Sequence, residues 1–259
     1  MTQPRARPSA VDDFAALDLR TVALLLDVDG TLIDLGPSPM AVHVPETLRG
    51  SLARLVDLTG GALALVSGRP IADLDFLFKP LVLPAVGGHG AEIRVKPGEL
   101  IAAAKPLPER LRRQLTQAAT PGSGVVIEDK GYSLALHYRN APREEARLRA
   151  LIAAGRAAFP AEVLDVLPGK AMFEVKRPDI SKGSAVRVLM GHAPFVGRRP
   201  VFIGDDVTDE SVFAVLPEWD GKGFSVGRHL DGVIGIFATP GEVREALQRL
   251  ATNTRARAS

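Results

Sequence analysis

Two carboxylates separated by one residue follow an apolar run near the start of the chain, in the order Leu24-Leu25-Leu26-Asp27-Val28-Asp29-Gly30. Residues i and i+2 of a strand point to the same side, so Asp27 and Asp29 can converge on one bound group. Gly30 permits a sharp turn that brings backbone N–H groups toward that group. The arrangement suits a phosphate held together with a cation. The alternative is a strand-to-helix turn whose acidic residues only cap the helix.

A second acidic cluster follows another apolar run, in the order Val201-Phe202-Ile203-Gly204-Asp205-Asp206-Val207-Thr208-Asp209-Glu210. Three Asp and one Glu so close together repel one another unless water or a cation offsets their charge, and hard oxygen ligands favour Mg²⁺. A solvated helix N-terminus would also suit these acids. Two such clusters in one chain together supply the ligands that one Mg²⁺ requires, so we predict a magnesium site.

Two further segments carry weaker signals when they are taken alone. Ser67-Gly68-Arg69-Pro70 follows an apolar run and offers a hydroxyl donor, but this composition is also ordinary for a turn. Lys182 could neutralise a phosphate, yet a single lysine usually faces solvent. Their position in the chain, between the two acidic clusters, makes them candidates for the same site.

The order Asp27, Ser67, Lys182, Asp205 resembles the four motifs of the haloacid dehalogenase superfamily, which begin with DxDGT. For its phosphatases, the resemblance implies that Asp27 is the nucleophile and Asp29 the general acid and base. Ser67 and Lys182 would then stabilise the phosphoryl oxygens. The implied Mg²⁺ ligands are Asp27, Asp29, Asp205 and Asp206, and the implied supporting residues are Thr31 and Asp209.

Longer segments resemble the trehalose-6-phosphate phosphatase family. They are Gly-Gly-His-Gly-Ala-Glu at 87–92, Glu-Asp-Lys-Gly-Tyr at 128–132, His-Tyr-Arg at 137–139, Gly-Lys-Ala-Met-Phe-Glu-Val-Lys-Arg-Pro at 169–178 and Gly-Asp-Asp-Val-Thr-Asp-Glu at 204–210. The resemblance implies Mg²⁺-dependent hydrolysis of trehalose 6-phosphate to trehalose and phosphate, through an aspartyl-phosphate intermediate. It also implies the residues that contact the substrate: Ser67, Gly68, Arg69, His89, Glu128, Lys130, Lys170 and Glu174.

Composition excludes several other classes of function. The 259 residues are 46% hydrophobic, enough for a full core, and include no cysteine for a disulfide or a thiolate metal site. Aromatic residues make up only 5% and are not interleaved with a basic run, so nucleic-acid binding is not expected. The first ten residues lack an apolar signal segment, and no apolar run approaches the roughly 20 residues of a membrane span. We expect a cytoplasmic monomer whose partner is a small sugar phosphate.

Hydrophobic periodicity predicts an α/β fold. Short apolar runs at 22–26, 62–66, 81–86, 200–203 and 232–237 alternate with helical patterns, which is typical of a Rossmann-like, doubly wound parallel sheet. Alternating strands between 91 and 179 predict an inserted α+β cap domain. The expected division is therefore a catalytic core of residues 1–90 and 180–259 and a sugar-recognition cap of residues 91–179.

Three alternatives to the predicted activity remain open. A phosphatase for another sugar phosphate would differ only in the cap, and a phosphomutase would return phosphate to the sugar. A non-catalytic sugar-phosphate sensor belongs to a different class, but sensors derived from enzymes usually lose the nucleophile or the metal ligands. The chain has no GxSxG or GxxxxGK(S/T) sequence, which would indicate other hydrolases or nucleotide-binding enzymes.

Overall fold

A computed structural model of the chain describes residues 10–36, 41–169, 171–178 and 180–253. The chain forms two compact units: one extends up to Ala103 and resumes at Ser181, and the other is Ala104–Ile180. Within the described part, no helix combines the length and the apolar character that a bilayer span requires.

The strands of the first unit come both before and after those of the second unit along the chain. They are β1 (Val22–Leu26), β2 (Leu63–Val66), β3 (Ala85–Gly87), β4 (Glu92–Lys96), β5 (Glu99–Ala103), β6 (Val126–Asp129), β7 (Ser133–His137), β8 (Asp165–Gly169), β9 (Met172–Lys176), β10 (Arg199–Gly204), β11 (Lys222–Val226) and β12 (Gly235–Phe237).

Among the described residues, the α-helices lie before, between and after these strands. They are α1 (Ala10–Ala15), α2 (Glu46–Leu58), α3 (Ile71–Phe78), α4 (Glu109–Thr116), α5 (Glu145–Ala158), α6 (Lys182–Met190), α7 (Glu210–Phe213) and α8 (Pro240–Asn253).

The first unit is built on one mixed sheet, in the order β12-β11-β10-β1-β2-β3-β4-β5. The strands from β12 to β3 are parallel, and β4 and β5 extend the sheet in antiparallel pairing. The central strand β1 is buried along its whole length. Leu24 and Leu26 pack into one apolar layer with α2 and α8, whereas Ala23 and Leu25 pack into the opposite layer with α6 and α7. Helices on both faces confirm the doubly wound α/β prediction.

The second unit contains an antiparallel sheet in the order β6-β7-β9-β8, together with α4 and α5. One face of the sheet is apolar: Leu134 and Leu136 of β7 and Phe173 of β9 belong to the same buried cluster as Leu111 of α4 and Leu148 of α5. Because side chains alternate along a strand, Ala135 and Glu174 project from the opposite face. That face is not covered by α4 or α5.

The domain boundary predicted at residue 91 requires a correction. Residues 92–103 form β4 and β5, which pair onto β3 and therefore belong to the first unit. An apolar strand carries no local mark of the sheet that it joins. In the second unit β8 begins at Asp165, and the helix that follows the second acidic cluster is the short α7 between two 3₁₀ turns. The predictions did not include α1, β5 and β11.

Candidate active site

The predicted motif residues of the first unit follow the carboxyl ends of neighbouring strands. Asp27 follows β1, Ser67 follows β2 and Asp205 follows β10, and β1 pairs with both β2 and β10. The amide of Asp27 donates to the carbonyl of Ile203 (2.9 Å), which continues the parallel pairing to the edge of the site. This edge is where open parallel sheets bind ligands. Lys182 is the first residue of α6, whose N-terminus is capped by Ser181.

Lys182 links the two acidic clusters through a buried pair of salt bridges. Its Nζ lies 2.7 Å from Asp27 Oδ1 and 2.7 Å from Asp209 Oδ1. The side chains of Lys182 and Asp27 are only 4% and 5% exposed, and that of Asp209 is fully buried. The second oxygen of Asp209 accepts hydrogen bonds from the amides of Asp205 (2.9 Å) and Asp206 (3.0 Å). Lys182 and Asp209 therefore fix Asp27 and the loop after β10 relative to each other.

The pKa values of this cluster reflect burial and the neighbouring charges. Burial acts to lower the pKa of the Lys182 ammonium, but Asp27 and Asp209 outweigh it and raise that pKa above its ordinary value. Burial raises the pKa of the Asp27 carboxyl well above its ordinary value, an effect that Lys182 opposes and Asp209 reinforces. Burial, reinforced by Asp209 and Asp206, also raises the pKa of Asp205. A nearby cation would favour the charged forms of Asp27 and Asp205.

Carboxylate oxygens of Asp27, Asp205 and Asp209 lie within 4.8 Å of one another, close enough to share a metal ion. Within the described residues, the buried Asp27 Oδ2 has no hydrogen-bond partner. Asp209 is already satisfied by Lys182 and two amides, so it braces the site rather than offering a ligand. The free oxygen of Asp27 and the carboxylate of Asp205 therefore fit a hard divalent cation.

Asp205 is held next to the turn that follows β1. Thr31 Oγ1 donates to its Oδ1 (3.4 Å), and the space occupied by its carboxylate is the space that a Cβ on Gly30 would fill. Gly30 also has a φ of +79°, which L side chains rarely adopt. The glycine of the first motif therefore permits both the turn and the approach of Asp205.

Asp206 is more exposed than the other three acidic residues predicted as metal ligands. Its side chain is 61% exposed, and its Oδ1 accepts hydrogen bonds from the amide of Val207 (2.6 Å) and from Arg228 (3.1 Å). Neither this carboxylate nor that of Asp29 is part of the group that could share a metal ion. The assignment of Asp206 as a ligand remains an untested prediction, and the geometry favours a different role.

Asp29 forms a two-point ion pair with Arg69, a residue that the sequence predicted only as a substrate contact. Arg69 Nε lies 2.6 Å from Asp29 Oδ2, and its terminal nitrogen lies 2.5 Å from Oδ1. Ser67 is 1% exposed, and its Oγ accepts from the amide of Arg69 at 3.1 Å. The segment after β2 therefore orients the predicted acid as well as presenting the predicted phosphate-binding hydroxyl.

The turn that contains His89 is closely joined to this segment. The amide of Gly88 donates to the carbonyl of Arg69 (2.8 Å), and that of His89 donates to the carbonyl of Ser67 (3.0 Å). His89 has a φ of +56°, and its imidazole occupies the place that a Cβ on Gly68 would take. Gly68 and His89, which were both predicted to contact the substrate, therefore lie beside Ser67, where they shape the loop.

In the second unit, the predicted sugar-binding residues share one face of the sheet. Glu128, Ala135 and Glu174 form a single row across β6, β7 and β9. The Glu128 carboxylate, 53% exposed, lies 3.5 Å from Lys130 Nζ and 3.6 Å from His137 Nε2. Lys170 lies outside the described residues.

Arg228 is the site residue that the sequence prediction missed. It follows β11, and its Nε donates to the backbone carbonyl of Asp205 at 2.9 Å. It also lines an open pocket of about 490 Å³ together with Asp29, Leu35, Asp205, Asp206, Val226 and Gly227. The available signal was the run Gly-Phe-Ser-Val-Gly-Arg at 223–228, a short strand followed by a glycine turn.

The fold is similar to that of a solved protein of Bacteroides thetaiotaomicron, described as one of the phosphatases of the haloalkanoate (HAD) superfamily, with a TM-score of 0.63 at 16% identity. The solved C-terminal domain of C. albicans trehalose-6-phosphate phosphatase superposes with a TM-score of 0.74, covering 96% of this chain and 99% of that one. At 20% identity, this likeness shows the fold alone.

Sequence comparison gives the narrower family. The trehalose-phosphatase family model matches residues 25–230. A probable trehalose-phosphate phosphatase of Sinorhizobium fredii is 43% identical over 212 residues, which cover 81% of this chain and 79% of that protein. The trehalose-6-phosphate phosphatase of Escherichia coli is 38% identical over 244 residues, 90% of each chain. The chain belongs to the trehalose-phosphatase family.

Proposed function

We propose that the protein is a Mg²⁺-dependent phosphatase that hydrolyses trehalose 6-phosphate to trehalose and inorganic phosphate. The observation that carries the proposal is the buried carboxylate of Asp27: one oxygen is fixed by Lys182, and the other has no partner among the described residues. Family membership supports the choice of substrate, because relatives that align with most of the chain bear that activity in their names.

In the first step, an Asp27 oxygen attacks phosphorus and the bond from phosphorus to the sugar oxygen breaks. Asp29 gives a proton to the leaving oxygen, which requires one of its two contacts with Arg69 to open, because both Asp29 oxygens accept from Arg69 in the structure. The result is an aspartyl-phosphate, which divides a difficult hydrolysis into two easier displacements. The Lys182 ammonium and Ser67 hydroxyl stabilise the charge on the transferring oxygens.

In the second step, a water molecule attacks phosphorus and Asp29 takes its proton. The bond from phosphorus to Asp27 breaks, which releases inorganic phosphate and restores the carboxylate. Lys182 remains bound to Asp209 through both steps and therefore keeps its charge beside the reacting oxygens.

Mg²⁺ would be held by Asp27, Asp205 and the backbone carbonyl of Asp29, and when bound it neutralises charge on the nucleophile and the phosphoryl group. The charges of the site fit a divalent ion. With Asp29 in its charged form, before it takes up the proton used in the first step, five carboxylates face three cationic side chains and two negative charges are left uncompensated. The carboxylates are those of Asp27, Asp29, Asp205, Asp206 and Asp209, and the cations are Lys182, Arg69 and Arg228.

We assign sugar recognition to the second unit. Glu128, Lys130 and Glu174 offer carboxylate and ammonium groups to the hydroxyls, and a substrate that lacks a matching hydroxyl leaves such groups unpaired. The half-exposed Glu128 supports this role because it can exchange its contacts with Lys130 and His137 for contacts with a ligand. The cytoplasmic location and the monomeric state stay predictions.

The test is phosphate release from trehalose 6-phosphate, sucrose 6-phosphate, glucose 6-phosphate and an aryl phosphate, each with and without Mg²⁺. We expect a strong, Mg²⁺-dependent preference for trehalose 6-phosphate. A preference for a different sugar phosphate would overturn the substrate and keep the mechanism. Absence of hydrolysis of all four compounds would favour a sugar-phosphate sensor.

A further inference from the structure

Arg228 forms hydrogen bonds with two groups of the loop that follows β10. Its Nε donates to the backbone carbonyl of Asp205 (2.9 Å), and its terminal nitrogen lies 3.1 Å from Asp206 Oδ1. The Arg228 side chain itself is about half exposed, and these contacts are polar. It therefore acts on the loop through hydrogen bonds rather than through packing.

The backbone of Arg228 is itself fixed by the end of β11. The hydroxyl of fully buried Ser225 donates to the Arg228 carbonyl at 2.5 Å. Gly227, with a φ of +72°, turns the chain, and its amide donates to the carbonyl of Phe237 (2.9 Å) on the neighbouring strand β12. The side chain therefore extends from a defined position in the sheet.

Arg228 complements the contacts that Asp209 makes with the same loop. The amide of Asp205 donates to Asp209 Oδ2, and its carbonyl accepts from Arg228 Nε. Both backbone polar groups of Asp205 are thus held by side chains: the amide by Asp209, four residues further on, and the carbonyl by Arg228. Its carboxylate is left beside Gly30 and Thr31, within reach of Asp27.

We propose that Arg228 is a positioning residue for the metal ligand Asp205, and that Asp206 serves mainly to anchor Arg228. This inference rests on the proposed function, because it requires Asp205 to bind Mg²⁺. A group that orients a metal ligand commonly changes metal affinity about 10–100-fold when it is removed.

Whether the loss of Arg228 weakens or tightens Mg²⁺ binding separates a positioning role from a purely electrostatic one. Arg228 carries a positive charge near a cation site, so its charge alone weakens Mg²⁺ binding. If charge were its whole contribution, Arg228→Gln would tighten binding, and Arg228→Lys would leave it unchanged. If Arg228 positions Asp205, Arg228→Gln weakens binding in spite of the lost repulsion, and Arg228→Lys gives an intermediate affinity.

The experiment titrates Mg²⁺ alone into the full-length protein by calorimetry, without substrate. We expect Arg228→Gln to raise the Kd for Mg²⁺ about tenfold. The matched control is Arg187→Gln, because Arg187 is a similarly exposed arginine whose side-chain hydrogen bonds, among the described residues, go to Glu218. The control should bind Mg²⁺ as the wild type does, and thermal unfolding of all variants checks the fold.

Hydrolysis at increasing Mg²⁺ gives a second readout. Saturating Mg²⁺ should restore kcat in Arg228→Gln to near the wild-type value, because only the affinity of the ion is damaged. Unchanged or tighter Mg²⁺ binding by Arg228→Gln would overturn the positioning role while leaving the proposed function intact. Failure of the wild type itself to bind Mg²⁺ would overturn both the proposed metal and the role of Arg228.

Discussion

The two groups of predicted functional residues differ in how tightly they are held. In the first unit, Lys182 lies 2.7 Å from each of two buried carboxylates, and Arg69 binds Asp29 through two short contacts. In the second unit, Glu128 is half exposed, and its contacts to Lys130 and His137 measure 3.5 and 3.6 Å.

This difference agrees with the two tasks in the proposed reaction. Charge stabilisation during phosphoryl transfer depends on groups that are fixed before the substrate arrives. Recognition of a sugar needs polar groups that can exchange one hydrogen-bond partner for another. The comparison predicts that variants of the first group damage every substrate alike, and that variants of the second group discriminate between substrates.

Asp27→Asn should produce the largest loss, because it removes the proposed nucleophile. We expect kcat on both trehalose 6-phosphate and an aryl phosphate to fall by about four orders of magnitude or more. The midpoint temperature of thermal unfolding should be unchanged or slightly higher, because the variant no longer buries a charge at this position. Asp34→Asn is the control, since Asp34 is 74% exposed. Substantial turnover by Asp27→Asn would contradict the mechanism.

Lys182→Met should affect stability as well as activity. The substitution leaves Asp27 and Asp209 buried without their counter-charge, and breaking a buried ion pair in this way costs about 3–5 kcal/mol. Urea unfolding in Mg²⁺-free buffer measures the change in the free energy of unfolding. A loss below about 1 kcal/mol would be typical of an exposed pair and would contradict the buried network described here.

Glu128→Ala and Glu174→Ala should reveal the discriminating behaviour of the second unit. We expect kcat/KM for trehalose 6-phosphate to fall about 100-fold or more, because unpaired sugar hydroxyls are penalised, with a change of less than about threefold for an aryl phosphate. Glu109→Ala is the control in the same unit, because Glu109 is 75% exposed on α4. Equal losses on the two substrates would show that these residues do not read the sugar.

The smallest effect is expected at Asp129, at the end of β6. Burial acts to raise the pKa of Asp129, but hydrogen bonds from Arg112 and the Gly131 amide outweigh it and lower that pKa. A carboxyl whose pKa is lowered in the folded protein stabilises the fold at neutral pH. This stabilisation is lost as the pH falls from the ordinary pKa of the carboxyl toward its lowered pKa. Because the pair is partly exposed, Asp129→Asn should cost no more than about 1 kcal/mol at pH 7.

Urea unfolding at pH 7 and at pH 3 tests this expectation. The difference in stability between the wild type and Asp129→Asn should shrink at the lower pH, which lies below the ordinary pKa of an aspartic acid. A difference that grows on acidification would contradict the assigned direction.

Much of the fold was predictable because its signals are local. The apolar run of β1 and the carboxylates that follow it lie within a few residues, and parallel strands necessarily bring their carboxyl ends to one edge. β11 was missed because Gly223 and Ser225 interrupt its apolar pattern. β4 was assigned to the wrong unit because its pairing with β3 depends on contacts that its own sequence does not specify.

The roles of the individual site residues were also difficult to predict, because they depend on contacts between distant parts of the sequence. The sequence identified Asp205 and Asp206 as adjacent acids, but the direction of each carboxylate depends on Gly30, more than 170 positions away, and on Arg228. Similarly, the pairing of Asp29 with Arg69 joins residues 40 positions apart. Residue types indicated the chemistry, whereas the assignment of individual roles required the three-dimensional arrangement.

The most direct test of the account is to locate the phosphoryl group during turnover. The protein is mixed with trehalose 6-phosphate and Mg²⁺, quenched in acid within milliseconds, reduced with borohydride and mapped by mass spectrometry. We predict that residue 27 is recovered as homoserine, the reduction product of an aspartyl-phosphate, and that Asp27→Asn yields none. Modification at a different residue, or unmodified Asp27 in a protein that hydrolyses the substrate rapidly, would contradict the assignment of Asp27 as the nucleophile.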